Sequence, residues 1–344
     1  MFTKPDSKLM LLVYVDDILA AAPTSKEVSW FGKTLHKRFN SKDLGGVSKV
    51  LGIRITRDRR NKAIYLDQEQ YLDSVLKRFG ITQGKHKKKC IPLADYSQLR
   101  PTQPDDERTD ITEYQQIIGS LMYAIVHIRP DIAFTLKKLS QHMKDPADFH
   151  IEAVKNLMRY IRSTITHRIK YSKGVNPTLS LHSDADWAGQ LVDRKSTSGS
   201  AGMLCNGVIT WSSKVQRSVA TSSTESEYLA MSMTAKMSQW IAQVLRDMGY
   251  SSYIGDSQTR VDIRADNQGA IALTKNPHLH DRSRHIDICY HHIRDLQERE
   301  KISVTYIPTD EMIADGFTKL LQRIAFIKFK SFLGIDTTLL NQES

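Results

Sequence analysis

Four carboxylates carry the strongest chemical signal in this chain: Asp184, Glu227, Asp266 and Asp315. Asp184 ends the predicted strand 178–183, whose Leu179 and Leu181 share one face while Asp184 takes the other. Asp266 ends a predicted strand over 261–265. Glu227 falls in the first turns of a helical pattern running from about 223 to 248, and Asp315 on a predicted last helix over 310–320. Acids delivered from strand ends and helix starts can converge above one sheet edge. Their repulsion would raise their pKa values unless divalent cations offset it. Two Mg²⁺ ions, or Mn²⁺ in their place, would then activate a water and stabilise the leaving oxygen of a phosphodiester. Taken singly, each of these acids reads as a surface residue or a cap.

A second acidic signal is Asp16-Asp17, set between the apolar runs 9–15 and 18–22. Adjacent carboxylates between apolar strands are costly unless a tight turn exposes them to water or metal. Such a turn can place a carboxylate on Mg²⁺. An ordinary hairpin turn is the alternative for the dipeptide alone.

The elements that must position these acids alternate between strand and helix. A helix is predicted from Ser25, with Val28, Phe31, Leu35 and Phe39 on one face, and strands over 50–56 and 64–66 precede a helix over 67–79. Residues 111–165 read as three helices, with Pro130 and Pro146 at helix starts and Asp145 as an N-cap. Asn206-Gly207 between 203–205 and 208–211 predicts a type I′ hairpin turn. Ser222 with Glu225 fits a capping box, which leaves Glu227 as the better metal ligand. Strands are also predicted over 168–172 and 303–307, with helices over 267–273 and 287–299. The pattern implies a mixed α/β layer.

Lysine plus arginine outnumber aspartate plus glutamate by 49 to 38, a net charge of +11, which favours a polyanionic partner. The polar loop 193–198, with Arg194 and Lys195, is a candidate phosphate contact; a solvated hairpin loop is the plainer alternative. The basic run 85–89 lies in a proline-containing connector and reads as a solvated linker or a backbone contact. Cys90, Cys205 and Cys289 are far apart without a CxxC pair, which excludes a disulfide framework and a thiolate zinc finger. His278, His280, His285, His291, His292 and Cys289 crowd together, but the neighbours His291 and His292 diverge on a helix, so zinc is not expected. Trp187 and Trp211 could stack on nucleotides or fill a core. No eighteen-residue apolar window is present, and an intracellular chain is expected.

The motifs, taken in order, resemble a known family. Residues 12–19, LVYVDDIL, resemble the palm motif of reverse transcriptases in copia-type LTR retrotransposons. Asp43-Leu44-Gly45-Gly46 and 51–55 are similar to the segment after that palm, and 119–123, 129–132 and 157–160 to its connecting helices. Residues 183–189, 222–228, 265–270, 307–308 and 314–319 resemble the RNase H domain of the same elements. The resemblance implies a partial palm over 1–84, a linker over 85–110, a helical connection over 111–166, an RNase H-like mixed sheet flanked by helices over 167–330, and a tail. It makes Asp184, Glu227, Asp266 and Asp315 catalytic metal ligands, with Asp184 preferred over Asp186. Asp16 and Asp17 become palm metal ligands, and Arg284 and His285 backbone contacts, His285 also aiding proton transfer or product release. Only fifteen residues precede Asp16, and this family's fingers and further palm aspartate lie upstream of that motif, so polymerisation by this chain alone is not expected. The expected activity is Mg²⁺-dependent cleavage of the RNA strand of an RNA–DNA hybrid, with the remaining Pol segments as partners. Two rivals stand beside it: an inert nucleic-acid-binding remnant, and a polymerase completed by another chain.

Overall fold

Short β-forming runs broken by turn residues, and longer runs with helical periodicity, alternate along the chain as the sequence predicts. The structure, a computed structural model, describes residues 2–4, 7–82, 88–95, 99–174, 177–189, 194–255, 259–275 and 284–338, the side chains of 2–4, 7 and 284–290 excepted. Strands β1 (Phe2–Lys4), β2 (Ser7–Tyr14) and β3 (Asp17–Ala21) form a small antiparallel sheet, closed by the Tyr14–Asp17 pair. Helix α1 (Ser25–His36) starts on a complete capping box between Thr24 and Glu27. None of its residues is buried, so its predicted apolar face finds no core among the described residues.

The next elements are β4 (Lys49–Val50), β5 (Ile53–Asp58), β6 (Ala63–Asp67) and helix α2 (Glu69–Arg78). Helices α3 (Ile111–His127), α4 (Ala133–Ser140) and α5 (Asp148–Ser163) match the three predicted helical pieces. Asp145 is not the N-cap of α5. Ala147 holds that place, its amide donating to His150 Nδ1 at 3.0 Å, while Asp145 faces Arg108.

After β7 (Arg168–Ser172) come β8 (Ser180–Asp186), β9 (Thr197–Leu204), β10 (Gly207–Val215) and the long helix α6 (Ser223–Asp247). Strand β11 (Val261–Ala265), helices α7 (Gln268–Lys275) and α8 (Arg284–Glu298), and β12 (Ile302–Tyr306) follow. Two 3₁₀ turns, Thr309–Glu311 and Ile313–Phe317, replace the single helix predicted over 310–320, and α9 (Arg323–Phe332) and β13 (Ile335–Asp336) end the described chain. Among the described residues no helix is long and apolar enough to cross a membrane.

Five strands form a mixed sheet in the order β10-β9-β8-β11-β12. Strands β8, β9 and β10 run antiparallel, and β11 and β12 lie parallel to β8. This is the mixed α/β layer expected over the C-terminal half. Its hairpin turn is shifted by one residue from the prediction: Cys205 and Asn206 carry the positive φ angles, 51° and 63°. Gly207 instead starts β10, where a Cβ would lie 2.6 Å from the Tyr171 ring, so its glycine serves close approach rather than the turn.

The remaining sheet has the order β13-β7-β6-β5-β4. Strand β7, predicted to head the RNase H-like segment, pairs with β6 of the expected palm remnant, and β13, from the expected tail, pairs with β7. One apolar core joins Leu76, Ile118 and Leu157 of the helices to Ile169, Ala201, Val208, Phe317 and Phe329. The boundary expected at 166/167 therefore separates neither a sheet nor a core.

Candidate active site

Parallel register sets two of the four predicted acids side by side. His182 of β8 pairs with Arg264 of β11. Asp184 and Asp266 each lie two residues further along, on strands about 4.8 Å apart. Strand β8 runs to Asp186, so Asp184 sits within it rather than at its end. Asp315 arrives from the turn Ile313–Phe317, which packs against β9 directly opposite Asp184. There Gly199 pairs with Asp184, and a Cβ on Gly199 would stand 2.6 Å from Thr318 Cγ2 and 2.7 Å from the Ala314 carbonyl. The glycine gives the turn its seat. Ser213 Oγ holds it further by donating to the Phe317 carbonyl at 2.5 Å.

One carboxylate oxygen from each of Asp184, Asp266 and Asp315 lies within 4.8 Å of the others. Glu227, buried on α6, borders this triad without entering its ligand spacing. Its carboxylate accepts from the Ala185 amide and feels the charge of all three aspartates. Thr318 Oγ1 donates to Asp184 Oδ2, Thr309 Oγ1 to Asp266 Oδ2 at 2.7 Å, and Lys319 Nζ lies 2.8 Å from Asp315 Oδ2. These three partners escaped the sequence reading. The signal for two of them was present, since Thr318 and Lys319 follow Asp315 by three and four residues and so share its side of a helical turn.

Burial, then the Asp315 charge, raises Asp184 to about 7. Burial followed by the charges of Asp184 and Asp266 raises Glu227 to about 10. Burial also raises Asp315, against the opposing pull of Lys319. The Asp315 Oδ1 atom is buried without a hydrogen-bond partner. An all-oxygen donor set, mutual repulsion and a buried unpartnered oxygen suit a hard divalent cation.

The other predicted residues lie outside this triad. Glu225 Oε2 accepts from Thr221 N and Oγ1 at 2.8 and 2.6 Å, and its own amide donates to Ser222 Oγ, so it caps α6 as predicted, though the reciprocal bond goes to Thr221. Asp186, half-buried, lies near Lys138, Lys319 and Lys137 rather than in open solvent. Asp16 and Asp17 are exposed at the β2–β3 turn, and no metal-ligating group forms around them among the described residues. Arg194 is exposed with a left-handed φ of 54° and Lys195 is half-buried, while Ser196, Thr197 and Ser198 are buried rather than looped out. The side chains of Arg284, His285 and Cys289 lie outside the described residues, as do His278 and His280. No histidine joins a metal-ligating group among the described residues. Trp211 Nε1 donates to the Ile125 carbonyl at 3.0 Å against the core. Trp187 is half exposed, its Nε1 donating to the Ala220 carbonyl at 3.1 Å.

The family model described as "Reverse transcriptase (RNA-dependent DNA polymerase)" matches residues 1–94. The chain is 36% identical over 334 residues to the retrovirus-related Pol polyprotein from transposon TNT 1-94 of Nicotiana tabacum, covering 96% of this chain and 24% of that protein. It is 36% identical over 329 residues to the Pol polyprotein from transposon RE1 of Arabidopsis thaliana, covering 96% of this chain and 22% of that one. A transposon Ty5-1 protein of Saccharomyces cerevisiae is 33% identical over 235 residues, covering 67% of this chain and 73% of that protein. The chain thus spans about a quarter of the Pol polyproteins it matches. Among solved structures, an RNase H1 isolated from compost overlaps 44% of this chain and 97% of its own at 15% identity and a TM-score of 0.32. A foamy viral protease-reverse transcriptase with RNA/DNA hybrid overlaps 87% of this chain and 36% of its own at 15% identity and a TM-score of 0.46.

Proposed function

This chain belongs to the copia-type retrotransposon Pol polyproteins, and on that premise we propose that its C-terminal half is a ribonuclease H that cleaves the RNA strand of an RNA–DNA hybrid. The observation that carries the proposal is the triad of Asp184, Asp266 and Asp315, with oxygens within 4.8 Å of one another at the adjacent inner strands β8 and β11 of a mixed sheet. These three residues would hold divalent cations, with Glu227 alongside. Held there, a pair of Mg²⁺ ions, or Mn²⁺, would supply water activation and charge stabilisation at the leaving oxygen.

The protein's own groups prepare that centre. Parallel register fixes the spacing of Asp184 and Asp266, and the hydroxyls of Thr318 and Thr309 hold their carboxylates in place. The Ala185 amide anchors Glu227, whose pKa is raised by burial and by the charges of Asp184 and Asp266, a repulsion that a bound cation would offset. Preorganised ligands of this kind need no reorganisation as charge develops. The net charge of +11 favours a polyanion, and a hybrid is distinguished from a DNA duplex by its 2′-hydroxyls. Asp16 and Asp17 are proposed as palm ligands in the wider polyprotein and are assigned no step here.

The test compares end-labelled RNA–DNA hybrid with a DNA duplex of the same sequence, each with the purified chain and Mg²⁺. Cutting confined to the RNA strand of the hybrid is expected. Equal cutting of both, or of neither, contradicts the proposal.

A further inference from the structure

Consecutive residues grip two of the three carboxylates. Thr318 Oγ1 donates to Asp184, and Lys319 places Nζ 2.8 Å from Asp315 Oδ2. The contact occupies one oxygen of Asp315 and leaves the other, Oδ1, buried and without a hydrogen-bond partner. The ammonium is also close enough to Asp184 and Asp266 to feel both charges. Its side chain remains 44% exposed, so the long stem can swing the charge into solvent without disturbing the core.

We infer that Lys319 is a resident counter-cation of the carboxylate centre: its ammonium neutralises the triad when no divalent ion is held and competes with that ion for Asp315. The inference rests on the proposed cation centre and deepens it, because it makes Lys319 the residue that sets how tightly the centre takes a metal.

Competition predicts an inverse effect on two states. In the full chain, Lys319→Met keeps the apolar stem and removes the charge. Calorimetric titration with Mn²⁺ should show roughly tenfold tighter binding in this variant, since a like charge beside the ion has gone. In EDTA its melting temperature should fall below that of the wild type, and saturating Mn²⁺ should close the gap. Lys319→Arg should restore wild-type affinity. Should Lys319→Met fail to fold, Lys319→Ala gives the same two readings. Unchanged or weaker Mn²⁺ binding in the charge-free variant, with binding intact in the wild type, overturns the role of Lys319 and leaves the nuclease proposal standing. A wild-type chain that takes up no Mn²⁺ overturns the cation centre itself.

Discussion

Gly199 lies directly across the β8–β9 pair from Asp184, and the space its missing side chain leaves is filled by the turn that carries Asp315. The neighbours that a Cβ would meet include the backbone carbonyl of Ala314, at 2.7 Å, which cannot rotate away. Gly199→Ala should therefore push the turn outward and separate Asp315 from Asp184. Overpacking of this kind costs about 1–3 kcal/mol. Urea denaturation should register that loss, and hybrid cleavage should fall far more than the lost stability explains.

How much of this was legible in the sequence follows from the range of each interaction. Local periodicity placed α2, α3, α5 and α6, and the Glu225 cap was read from a four-residue pattern. The approach of Asp184 to Asp266 required parallel register between strands some eighty residues apart, which the motif order suggested and the pairing supplies. The Thr318–Asp184 and Thr309–Asp266 contacts depend on where two 3₁₀ turns sit on the sheet, which local sequence does not specify, whereas the Lys319–Asp315 pair is a four-residue spacing that a helical pattern over 310–320 already contains. Strand β7 misled for a similar reason: its sequence reads as a strand, but nothing local says which sheet it joins.

Trp211 Nε1 reaches the Ile125 carbonyl at 3.0 Å, and the apolar core runs continuously from α2–α5 to the face of the mixed sheet. A segment cut at residue 167 would deprive Ala201, Val208, Phe317 and Phe329 of the helical side of the core they share with Leu76, Ile118 and Leu157. Residues 167–344 expressed alone should lack a cooperative melting transition, whereas the full chain should show one. Trp211→Phe in the full chain should cost about 1–3 kcal/mol by urea denaturation, because it strands a carbonyl that had a partner.

Arg129 and Asp131 form a fully buried pair, with Nε to Oδ1 at 2.9 Å and Nη2 to Oδ2 at 2.8 Å. Tyr160 OH donates to the same carboxylate at 2.7 Å, and the pairing with Arg129 prevails over burial to hold Asp131 down to about 2. Asp131→Asn leaves the guanidinium buried without its counter-charge and should cost about 3–5 kcal/mol. Arg129→Met combined with Asp131→Leu should recover much of that loss, measured by the same denaturation midpoint.

Burial lowers two histidines of the helical region, His142 and His167, each to about 4 from an ordinary 6.5; His150 also depresses the first and Arg129 the second. A folded-state pKa below the unfolded one means that the neutral form is favoured by folding. The associated stability is fully present above about pH 6.5 and is lost as pH falls toward 4. The urea midpoint of the wild type should drop through that window. A chain carrying His142→Gln and His167→Gln should show a shallower drop, and an equal one would contradict the assignment.

If the carboxylate centre, and not the exposed Asp16-Asp17 turn, cuts the hybrid, two single substitutions separate them. The measurement is Mg²⁺-dependent cleavage of a labelled RNA–DNA hybrid by the wild type, Asp266→Asn and Asp16→Asn at equal concentration. Asp266→Asn should lose more than about 100-fold, beyond what removing an outer-shell partner of a metal site costs, while Asp16→Asn should cut at the wild-type rate. Cleavage that survives Asp266→Asn, or that proceeds equally in EDTA, would contradict that assignment.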